Sequence, residues 1–582
     1  MKTDPLLPLF RLRRRLSGGG RKFVALTFSA MLLTHGFASA DTATPHPEIA
    51  ANIARLLAGK QHPVLHNSDL SGLTEELSRL YPANTASLLW LGNDRSQATI
   101  DAALALLKNA AESGLEPADY DAASLEQALR PAKSQALSDQ ELAAYDTALS
   151  TALLRLVHDL HQGRVHPQTL GYPREFGGKP RLNGAELIKQ ALARQTLPQL
   201  VQQAEPTFGQ YRQLKQALAE LRQLPAEKPF QALTLEKSLH PGDAYPQLAA
   251  LQQRLAALAA WPKSATSSQL PADYSGPLVE GVQNLQRQHG LQADGVLGKE
   301  TLALLNQTRN EQISQIELSM ERLRWLPETL SGPLIMVNIP AFELMAFHSL
   351  DDGQALSMKV IVGKAEQNQT PVLFEDMQYL EFQPYWNIPR SILDKEIIPR
   401  MLDDLAFLQN QDIELVQRAN SESESALDMF ADLQEGKIRA RQRPGSRNPL
   451  GKVKFIFPNK EDVYLHDTPT HALFDRGRRD FSHGCVRVAE AQKLAEFVLG
   501  YQSGWDKTAI EQAMAGSKTQ RVKLTQSIPV LFFYATSFVD RDNHVRFYRD
   551  IYNQDAALKK ALNKSDTPQN DNLISGKSPS AG

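Results

Sequence analysis

Apolar residues recur at helical spacing from about residue 45 to residue 236. Two clear runs are Ile100, Ala103, Leu104, Leu107 and Leu149, Leu153, Leu156, Val157, Leu160. Positions three and four residues apart share one face of a helix, so these runs predict amphipathic helices. Gly114 and Gly163 follow such runs and predict helix ends. The region lacks a cluster of catalytic residue types, so we expect a helical scaffold domain over residues 45–236.

A second helical unit is predicted over residues 239–307. It contains a helix through Leu251, then a helix over 282–289 that Gly290 ends. Asp294 and Gly295 predict a tight turn, and a further helix begins near Thr301. The unit is therefore predicted to consist of three short helices.

From about residue 332 to residue 552 the pattern changes to short strands. Runs rich in β-branched and aromatic residues, separated by turn residues, occupy 334–339, 357–362, 453–457, 463–466 and 530–534. Residues from about 390 to 445 interrupt this pattern with helical and polar character, and long insertions often cover sites. We therefore expect a mainly β domain with a helical capping insertion, within a multidomain α+β chain. Residues 556–582 are polar and predict a disordered tail.

Residues 1–40 have the pattern of an export signal. Seven basic residues and one acidic residue, Asp4, occur in this segment, and an apolar run over 23–33 follows the basic stretch. Ala38-Ser39-Ala40 is a typical signal-peptidase site. The expected location is therefore the periplasm. The alternative is an uncleaved anchor in the inner membrane, although the run is short for a bilayer span.

Composition limits the function classes. A length of 582 residues implies several domains. The net charge of -2 argues against a nucleic-acid partner, since such proteins usually carry a basic surplus. The chain has one cysteine, Cys485, so an internal disulfide is excluded. In an exported protein, a lone thiol is a candidate reactive group.

Candidate chemistry concentrates around Cys485. Fifteen residues separate His466 from the sequence Ser482-His483-Gly484-Cys485. A thiol is a good nucleophile only as thiolate, and histidine can take its proton and return it to a leaving amine. His466 and His483 are both candidate bases. Gly484 permits a close backbone approach, so N–H groups near Cys485 are candidate oxyanion donors.

This spacing resembles the signature of the L,D-transpeptidase catalytic domain. The resemblance implies that Cys485 is the nucleophile and His466 its base, oriented by the backbone carbonyl of Asp467. It also implies that His483, Gly484 and Ser482 shape the pocket and oxyanion hole. Arg487 stands where many members of the family carry asparagine, which we interpret as a variation of the pocket.

The likeness extends along the chain. Residues 239–307 resemble the three-helix peptidoglycan-binding domain. Motifs at 322–327, 337–340, 384–389, 441–445 and 448–451 are similar to a large Gram-negative subgroup with scaffold, peptidoglycan-binding and lid-bearing catalytic domains. Further candidates for the pocket walls are Tyr464, Trp386, Phe474, Arg476 and Arg479; for the aromatic residues, packing in the core is an equally good interpretation.

The resemblance implies acyl transfer without metal or cofactor. Cys485 would attack the bond between diaminopimelate and D-Ala in a stem tetrapeptide and release D-Ala. The amine of a second stem would then resolve the thioacyl-enzyme into a 3-3 cross-link. Stem tetrapeptides are thus the expected partners, with other wall-synthesis enzymes as further ones, and carbapenems are expected to acylate the thiol.

Three alternatives remain open. Water as the acceptor would make a carboxypeptidase or endopeptidase with the same thiol. A non-catalytic peptidoglycan-binding protein would use the helical unit alone. A metal site could use His466, His471, His483 and Cys485, although the spacing fits no familiar zinc motif.

Overall fold

The computed structural model describes residues 47–83, 87–92, 96–130, 137–262, 270–328, 330, 332–349, 354–404, 406–417, 432–433 and 435–564. The export signal predicted for residues 1–40 lies outside these ranges. In the part of the chain that is described, no helix has both the length and the apolar character needed to cross a bilayer.

The N-terminal region is helical, as predicted. Its helices are α1 Pro47–Ala58, α2 Thr74–Leu80, α3 Gln97–Lys108, α4 Ala122–Ala128, α5 Asp139–Gln162, α6 Gly184–Arg194, α7 Leu200–Ala204 and α8 Gly209–Gln223. Helix α5 runs through its centre and buries Leu149 and Leu153 in the apolar core. It begins at a capping box formed by Ser138 and Glu141, and it ends before Gly163, as the sequence predicted.

The second helical unit has the three predicted helices, α9 Leu248–Ala257, α10 Pro277–Gln288 and α11 Lys299–Asn306. The side chain of Gln286 supports the turn between α10 and α11. Its amide oxygen accepts from Gly295 N at 2.9 Å, and its nitrogen donates to Asp294 at 3.0 Å. Helix α12, Arg309–Arg324, then leads into the β domain from a second capping box, formed by Thr308 and Glu311.

The β domain is built on a nine-stranded sheet in the order β10-β3-β11-β9-β8-β4-β12-β1-β2. These strands are β1 Leu334–Asn338, β2 Glu343–Phe347, β3 Gln354–Gly363, β4 Leu373–Phe382, β8 Val453–Ile456, β9 Leu465–His466, β10 Asp480–Ser482, β11 Val486–Val488 and β12 Gln520–Phe533. Strand β2 also pairs with β3, so the sheet closes on itself and leaves β10 as a side branch. Helices α16 Ala491–Leu499 and α17 Lys507–Ala515 lie between β11 and β12, and β13 Ser537–Val539 pairs with β14 Val545–Phe547.

The capping insertion contains strands as well as the predicted helices. Its elements are β5 Trp386–Asn387, α13 Arg390–Ile392, a π-helical turn Leu393–Ile397, α14 Ile398–Asp403, α15 Phe407–Asn410, β6 Ile413–Gln417 and β7 Ile438–Gln442. The three strands form a sheet in the order β5-β7-β6 and enclose a small apolar core of their own. The cap therefore folds around a separate core from the nine-stranded sheet.

The disordered tail predicted from residue 556 is wrong for its first part, because residues Gln554–Lys564 form helix α18. Its Leu558 is fully buried in the main core, and Asp555 is paired with Arg322 of α12 at 2.6 Å. The polar composition concealed one apolar face and one buried ion pair. Residues 565–582 lie outside the described residues.

Candidate active site

The strand register brings the candidate residues to one face of the sheet. Strands β9 and β11 are parallel, with Val486 opposite Leu465 and Arg487 opposite His466. Strand β8 pairs antiparallel with β9 and sets Lys454 opposite His466. Residues opposite each other across a sheet share a face, and alternate residues of a strand share that face too. Continuing the register by one residue sets Cys485 beside Tyr464, on the face that carries His466.

A tight turn presents the thiol at the start of β11. The Ser482 hydroxyl donates to the Cys485 carbonyl at 2.6 Å and accepts from Gly484 N at 3.2 Å. Thr370 donates to the Gly484 carbonyl at 2.7 Å. Gly484 has a φ of 112°, a conformation that other residues rarely adopt. A substitution at Gly484 would therefore strain the turn that holds the thiol.

The Cys485 thiol is partly buried, with Sγ 3.9 Å from the Asp462 carbonyl. Burial raises its pKa, while hydrogen bonds from the backbone and hydroxyl of Tyr464 and the charge of Lys454 act in the opposite direction. Burial also raises the pKa of Tyr464, and the neighbouring thiolate adds to this effect. The thiol is thus mainly protonated at neutral pH, so nucleophilic attack needs a base.

His466 is buried, and its Nδ1 lies 2.5 Å from the Asp467 carbonyl. A carbonyl can only accept, so the bond to Asp467 favours the tautomer with its proton on Nδ1 and leaves Nε2 as the basic nitrogen. The imidazole also interacts with the backbone of Pro449. Burial, followed by the charge of Arg487, lowers the pKa of His466 to about 3. The imidazole is therefore neutral and able to accept a proton. In the described part of the chain, the thiol contacts Tyr464 and Asp462 rather than His466. A hydrogen bond between a nucleophile and its base often shortens only when substrate is bound.

Asp467 supports the imidazole with backbone and side chain. The Asp467 carboxylate accepts from the backbone N–H of Lys452 at 2.8 Å. The Asp467 backbone N–H donates to the Val453 carbonyl at 3.0 Å. Gly451 lies against it with a φ of 61°, and a Cβ at that position would lie 2.4 Å from the carboxylate. A side chain at position 451 would therefore displace the Asp467 carboxylate from Lys452 N.

Two cations flank the thiol. Arg487 is half-buried, and its Nε has no hydrogen-bond partner in the described part of the chain. Lys454 lies with its ammonium 3.6 Å from the centre of the Tyr464 ring. Burial lowers the pKa of both groups, and the Cys485 thiolate opposes that shift. Sequence reasoning missed Lys454, although a single lysine in the apolar run 453–457 was a signal for it.

The capping insertion meets the site at two points. Trp386 of β5 forms a side-chain hydrogen bond with Tyr464, the neighbour of the thiol. His483 is exposed, and its Nε2 lies 2.8 Å from a carboxylate oxygen of Glu396 in the π-helical turn. His483 therefore contacts the cap, whereas the prediction gave it a part in the oxyanion hole.

Three further candidates for the pocket walls lie before or at the start of β10. Phe474 is buried 6.0 Å from the ring of His471, and Arg476 is exposed. Arg479 is buried and donates to the carbonyls of Val360 and Phe342, each at 3.2 Å. Val360 lies opposite Val488, at the end of β11 away from Cys485. The prediction that Arg479 walls the Cys485 pocket is thus wrong, because sequence proximity does not decide which way an arginine turns.

Replacing Lys454 with methionine is expected to slow alkylation of Cys485 by iodoacetamide about fivefold at pH 7, corresponding to about 1 kcal/mol of lost attraction to the thiolate. Methionine keeps most of the length and the apolar contact of the side chain but removes the charge. The rate is measured as loss of free thiol over time. Lys523→Met, at an exposed position of strand β12, is the matched control and should react like the unchanged protein. Equal rates in all three proteins would show that Lys454 does not stabilise the Cys485 thiolate.

Three family models match the chain, one for each predicted domain. A "Scaffold domain" covers residues 75–218, a "Putative peptidoglycan binding domain" covers 245–305, and an "L,D-transpeptidase catalytic domain" covers 332–522. The last match contains Cys485, His466 and all the residues of the sheet face described above. The chain thus combines a match to a catalytic domain with a match to a peptidoglycan-binding domain, and these peptidoglycan-related domains indicate an extracytoplasmic location.

A curated relative is the "Putative L,D-transpeptidase" of Haemophilus influenzae (strain ATCC 51907 / DSM 11121 / KW20 / Rd). It is 28% identical over 295 residues, which are 50% of this chain and 58% of that protein. Among solved structures, the L,D-transpeptidase (residues 123-326) from Xylanimonas cellulosilytica DSM 15894 is matched over 53% of this chain and 100% of that chain, at 14% identity and a TM-score of 0.16. Residues 332–522 thus match the L,D-transpeptidase catalytic domain, and matches to a scaffold domain and a peptidoglycan-binding domain precede them in the chain.

Proposed function

We propose that this chain forms 3-3 cross-links in peptidoglycan, with Cys485 as nucleophile and His466 as its base. The observation that carries the proposal is the β9–β11 register, which supports a common site for Cys485, Tyr464, His466 and Arg487. Lys454 and Arg487 add positive charge where a thiolate and an oxyanion would develop. The donor would be a stem tetrapeptide, and the acceptor the diaminopimelate amine of a second stem.

In the first step, His466 Nε2 would take the thiol proton as sulfur bonds to the carbonyl carbon between diaminopimelate and D-Ala. The C–N bond then breaks, and the imidazolium returns the proton to the departing amine of D-Ala. A thioester to Cys485 remains. In the second step the acceptor amine attacks this thioester, an amide forms, and the thiol is restored with its proton.

We assign oxyanion stabilisation to Arg487 together with backbone N–H groups of the turn. The Gly484 N–H is already engaged by Ser482, at 3.2 Å, so it is a weaker donor to a substrate than the sequence suggested. Within the described residues, the Arg487 Nε has no hydrogen-bond partner, and the register sets Arg487 on the face that carries the thiol. His483 would act by holding the cap through Glu396.

Export through residues 1–40 to the periplasm and acylation of Cys485 by carbapenems belong to the same proposal.

The test is product analysis after incubating residues 41–582 with a disaccharide tetrapeptide that contains diaminopimelate. We expect free D-Ala in equal amount to a cross-linked dimer whose fragmentation gives a diaminopimelate–diaminopimelate bond. Cleaved stem without dimer would make the chain a carboxypeptidase or endopeptidase. Neither product from folded, reduced protein would favour a non-catalytic peptidoglycan-binding protein.

The rate of thioester formation is expected to be nearly flat between pH 5 and pH 8. His466 has its pKa lowered to about 3, so it stays neutral over this range, and the raised pKa of Cys485 keeps the thiol protonated. The reacting pair is therefore in one protonation state throughout. Rates are measured in single-turnover reactions followed by protein mass. An inflection near 6.5, the ordinary range of histidine, would contradict a buried neutral base.

A further inference from the structure

A buried threonine holds the peptide group that joins Gly484 to Cys485. Thr370 is 1% exposed, and its hydroxyl donates to the Gly484 carbonyl at 2.7 Å. The same hydroxyl accepts from the Gly363 N–H at 2.8 Å. Because this second partner is itself a donor, the hydroxyl proton is left for the Gly484 carbonyl. Thr370 therefore sets the direction in which that carbonyl points.

The direction of the Gly484 carbonyl also determines where the Cys485 N–H points. A trans peptide group is planar, so its C=O and N–H point in opposite directions, and the Cys485 N–H points away from Thr370. Ser482 engages two neighbouring groups of the turn, the Gly484 N–H and the Cys485 carbonyl. Within the described residues, the Cys485 N–H has no hydrogen-bond partner. It is thus a donor that the turn leaves available to a substrate.

A backbone N–H on the nucleophile itself is well placed to stabilise an oxyanion. When a thiol attacks a carbonyl carbon, the carbonyl oxygen becomes an oxyanion close to the backbone of the attacking residue. Loss of one oxyanion donor costs about 10²–10³ in rate. The donor must already be oriented, because its value lies in needing no reorganisation during the reaction. A side chain that fixes the peptide group before Cys485 would therefore affect acylation without contacting the substrate.

Thr370 is held in turn by Tyr552, in the segment between β14 and α18. The Tyr552 hydroxyl accepts from the Thr370 N–H at 3.1 Å and donates to the Gly363 carbonyl at 2.6 Å. Burial raises the pKa of Tyr552 to about 12, so the hydroxyl keeps the proton that it donates. Both polar groups of Gly363 are thus engaged, one by Thr370 and the other by Tyr552. The end of β3, Thr370 and Tyr552 therefore form one closed set of hydrogen bonds.

The segment that carries Tyr552 is itself fixed. The Tyr552 N–H donates to the Tyr534 hydroxyl at 3.0 Å, and that hydroxyl donates to Asp550 at 2.5 Å. The Asp550 carboxylate also accepts from two backbone N–H groups at the start of α18, at 2.8 Å and 2.9 Å. Hydrogen bonds therefore connect α18, which follows the nine-stranded sheet in the chain, to the turn that carries Cys485.

We propose that Thr370 and Tyr552 are positioning residues for acyl transfer, which hold the peptide group before Cys485 so that the Cys485 N–H is ready to receive the oxyanion. Neither residue contacts the reacting atoms. The inference rests on the proposed function for acyl transfer at Cys485, but not for the identity of the acyl donor. Alkylation of the thiol by iodoacetamide displaces iodide and forms no oxyanion. Loss of the positioning should therefore slow acylation and leave alkylation unchanged.

The test compares two reagents for the same thiol in the full chain. p-Nitrophenyl acetate acylates the thiol through an oxyanion, and its first turnover is measured as p-nitrophenolate released, less the release by Cys485→Ala. Iodoacetamide alkylates the thiol, and its rate is measured as loss of free thiol. We expect Thr370→Val to slow acylation roughly tenfold to a hundredfold and to leave alkylation unchanged. Thr370→Ser, which keeps the hydroxyl, should react like the unchanged protein with both reagents.

The matched control for Thr370→Val is Thr525→Val, at an exposed position of strand β12, which should leave both rates unchanged. Tyr552→Phe is a second variant, which tests the inference even if Thr370→Val does not fold. We expect it to slow acylation about threefold, the scale of one neutral hydrogen bond, because Thr370 keeps its own bond to Gly484. Its matched control is Tyr501→Phe, whose ring is 42% exposed.

Equal slowing of acylation and alkylation in Thr370→Val would overturn the inference, because it would show a general disturbance of the thiol. Acylation at the unchanged rate in Thr370→Val or Tyr552→Phe would also overturn it, as would a Thr370→Ser protein as slow as Thr370→Val. If p-nitrophenyl acetate gives the expected pattern but a stem tetrapeptide does not acylate the unchanged protein, 3-3 cross-linking is contradicted and the positioning role is supported. The two proposals therefore fail in different ways.

Discussion

Replacing Cys485 with alanine is expected to lower the rate of D-Ala release from a stem tetrapeptide by a factor on the order of 10⁵, the scale seen when a covalent nucleophile is removed. No other thiol exists in the chain, so nothing can substitute for it. The fold should be unaffected, because the side chain is only partly buried and its contacts, with Tyr464 and the Asp462 carbonyl, are not part of a core. Release of D-Ala is measured with an amino-acid oxidase assay, and folding by circular dichroism.

The matched control is Ser503→Ala, a small exposed residue between α16 and α17. Its rate should equal that of the unchanged protein. Cys485→Ser should be almost as inactive as Cys485→Ala, because a serine hydroxyl is a far weaker acid than a thiol and His466 would have to remove its proton. A Cys485→Ala protein that retained even a tenth of the rate would mean that another group performs the reaction.

Replacing Arg322 with alanine is expected to reduce the free energy of unfolding by about 3–5 kcal/mol, the usual cost of breaking a buried ion pair. The guanidinium is 1% exposed and lies 2.6 Å from Asp555. It also donates to the Tyr172 hydroxyl at 3.2 Å. Arg322 therefore connects α12 to α18 and to the scaffold domain, and its loss leaves Asp555 buried without its cation.

The matched control for this prediction is Arg521→Ala. Arg521 also pairs with a carboxylate at 2.6 Å, that of Glu381, but its side chain is 63% exposed. Exposed pairs contribute about 0–1 kcal/mol, so we expect little change. Hydrogen–deuterium exchange of α12 is the appropriate measurement, because a chain of several domains need not unfold in one step. Equal exchange in both variants would show that the buried pair does not hold α12 in place.

Local patterns predicted much of the fold. The helical domains within the first 307 residues and the β domain beyond residue 332 could be predicted. The spacing and the composition that mark helices and strands depend only on residues near one another in the chain. Helix α18 was missed, because its polar composition concealed the burial of Asp555, which depends on Arg322 more than two hundred residues away. Pairing between distant segments leaves little trace in a single sequence.

The same limit applies to the site. The spacing of His466 and Cys485 was enough to mark both as candidates, and the turn geometry explains the need for Gly484. The ion pair of His483 with Glu396 could not be predicted, because it depends on how the cap packs. Arg479 was misassigned for a related reason: its neighbours in sequence approach the thiol, but its own hydrogen bonds are to β3 and Phe342.

The central claim is that Cys485 becomes acylated by a stem peptide as D-Ala leaves. The most direct test is the intact mass of residues 41–582 during the first turnover with a tetrapeptide donor and no acceptor. We expect one adduct per chain, equal in mass to the donor less D-Ala, located on Cys485 by proteolysis and absent from Cys485→Ala. Turnover of the donor without such an adduct, or an adduct on another residue, would contradict it.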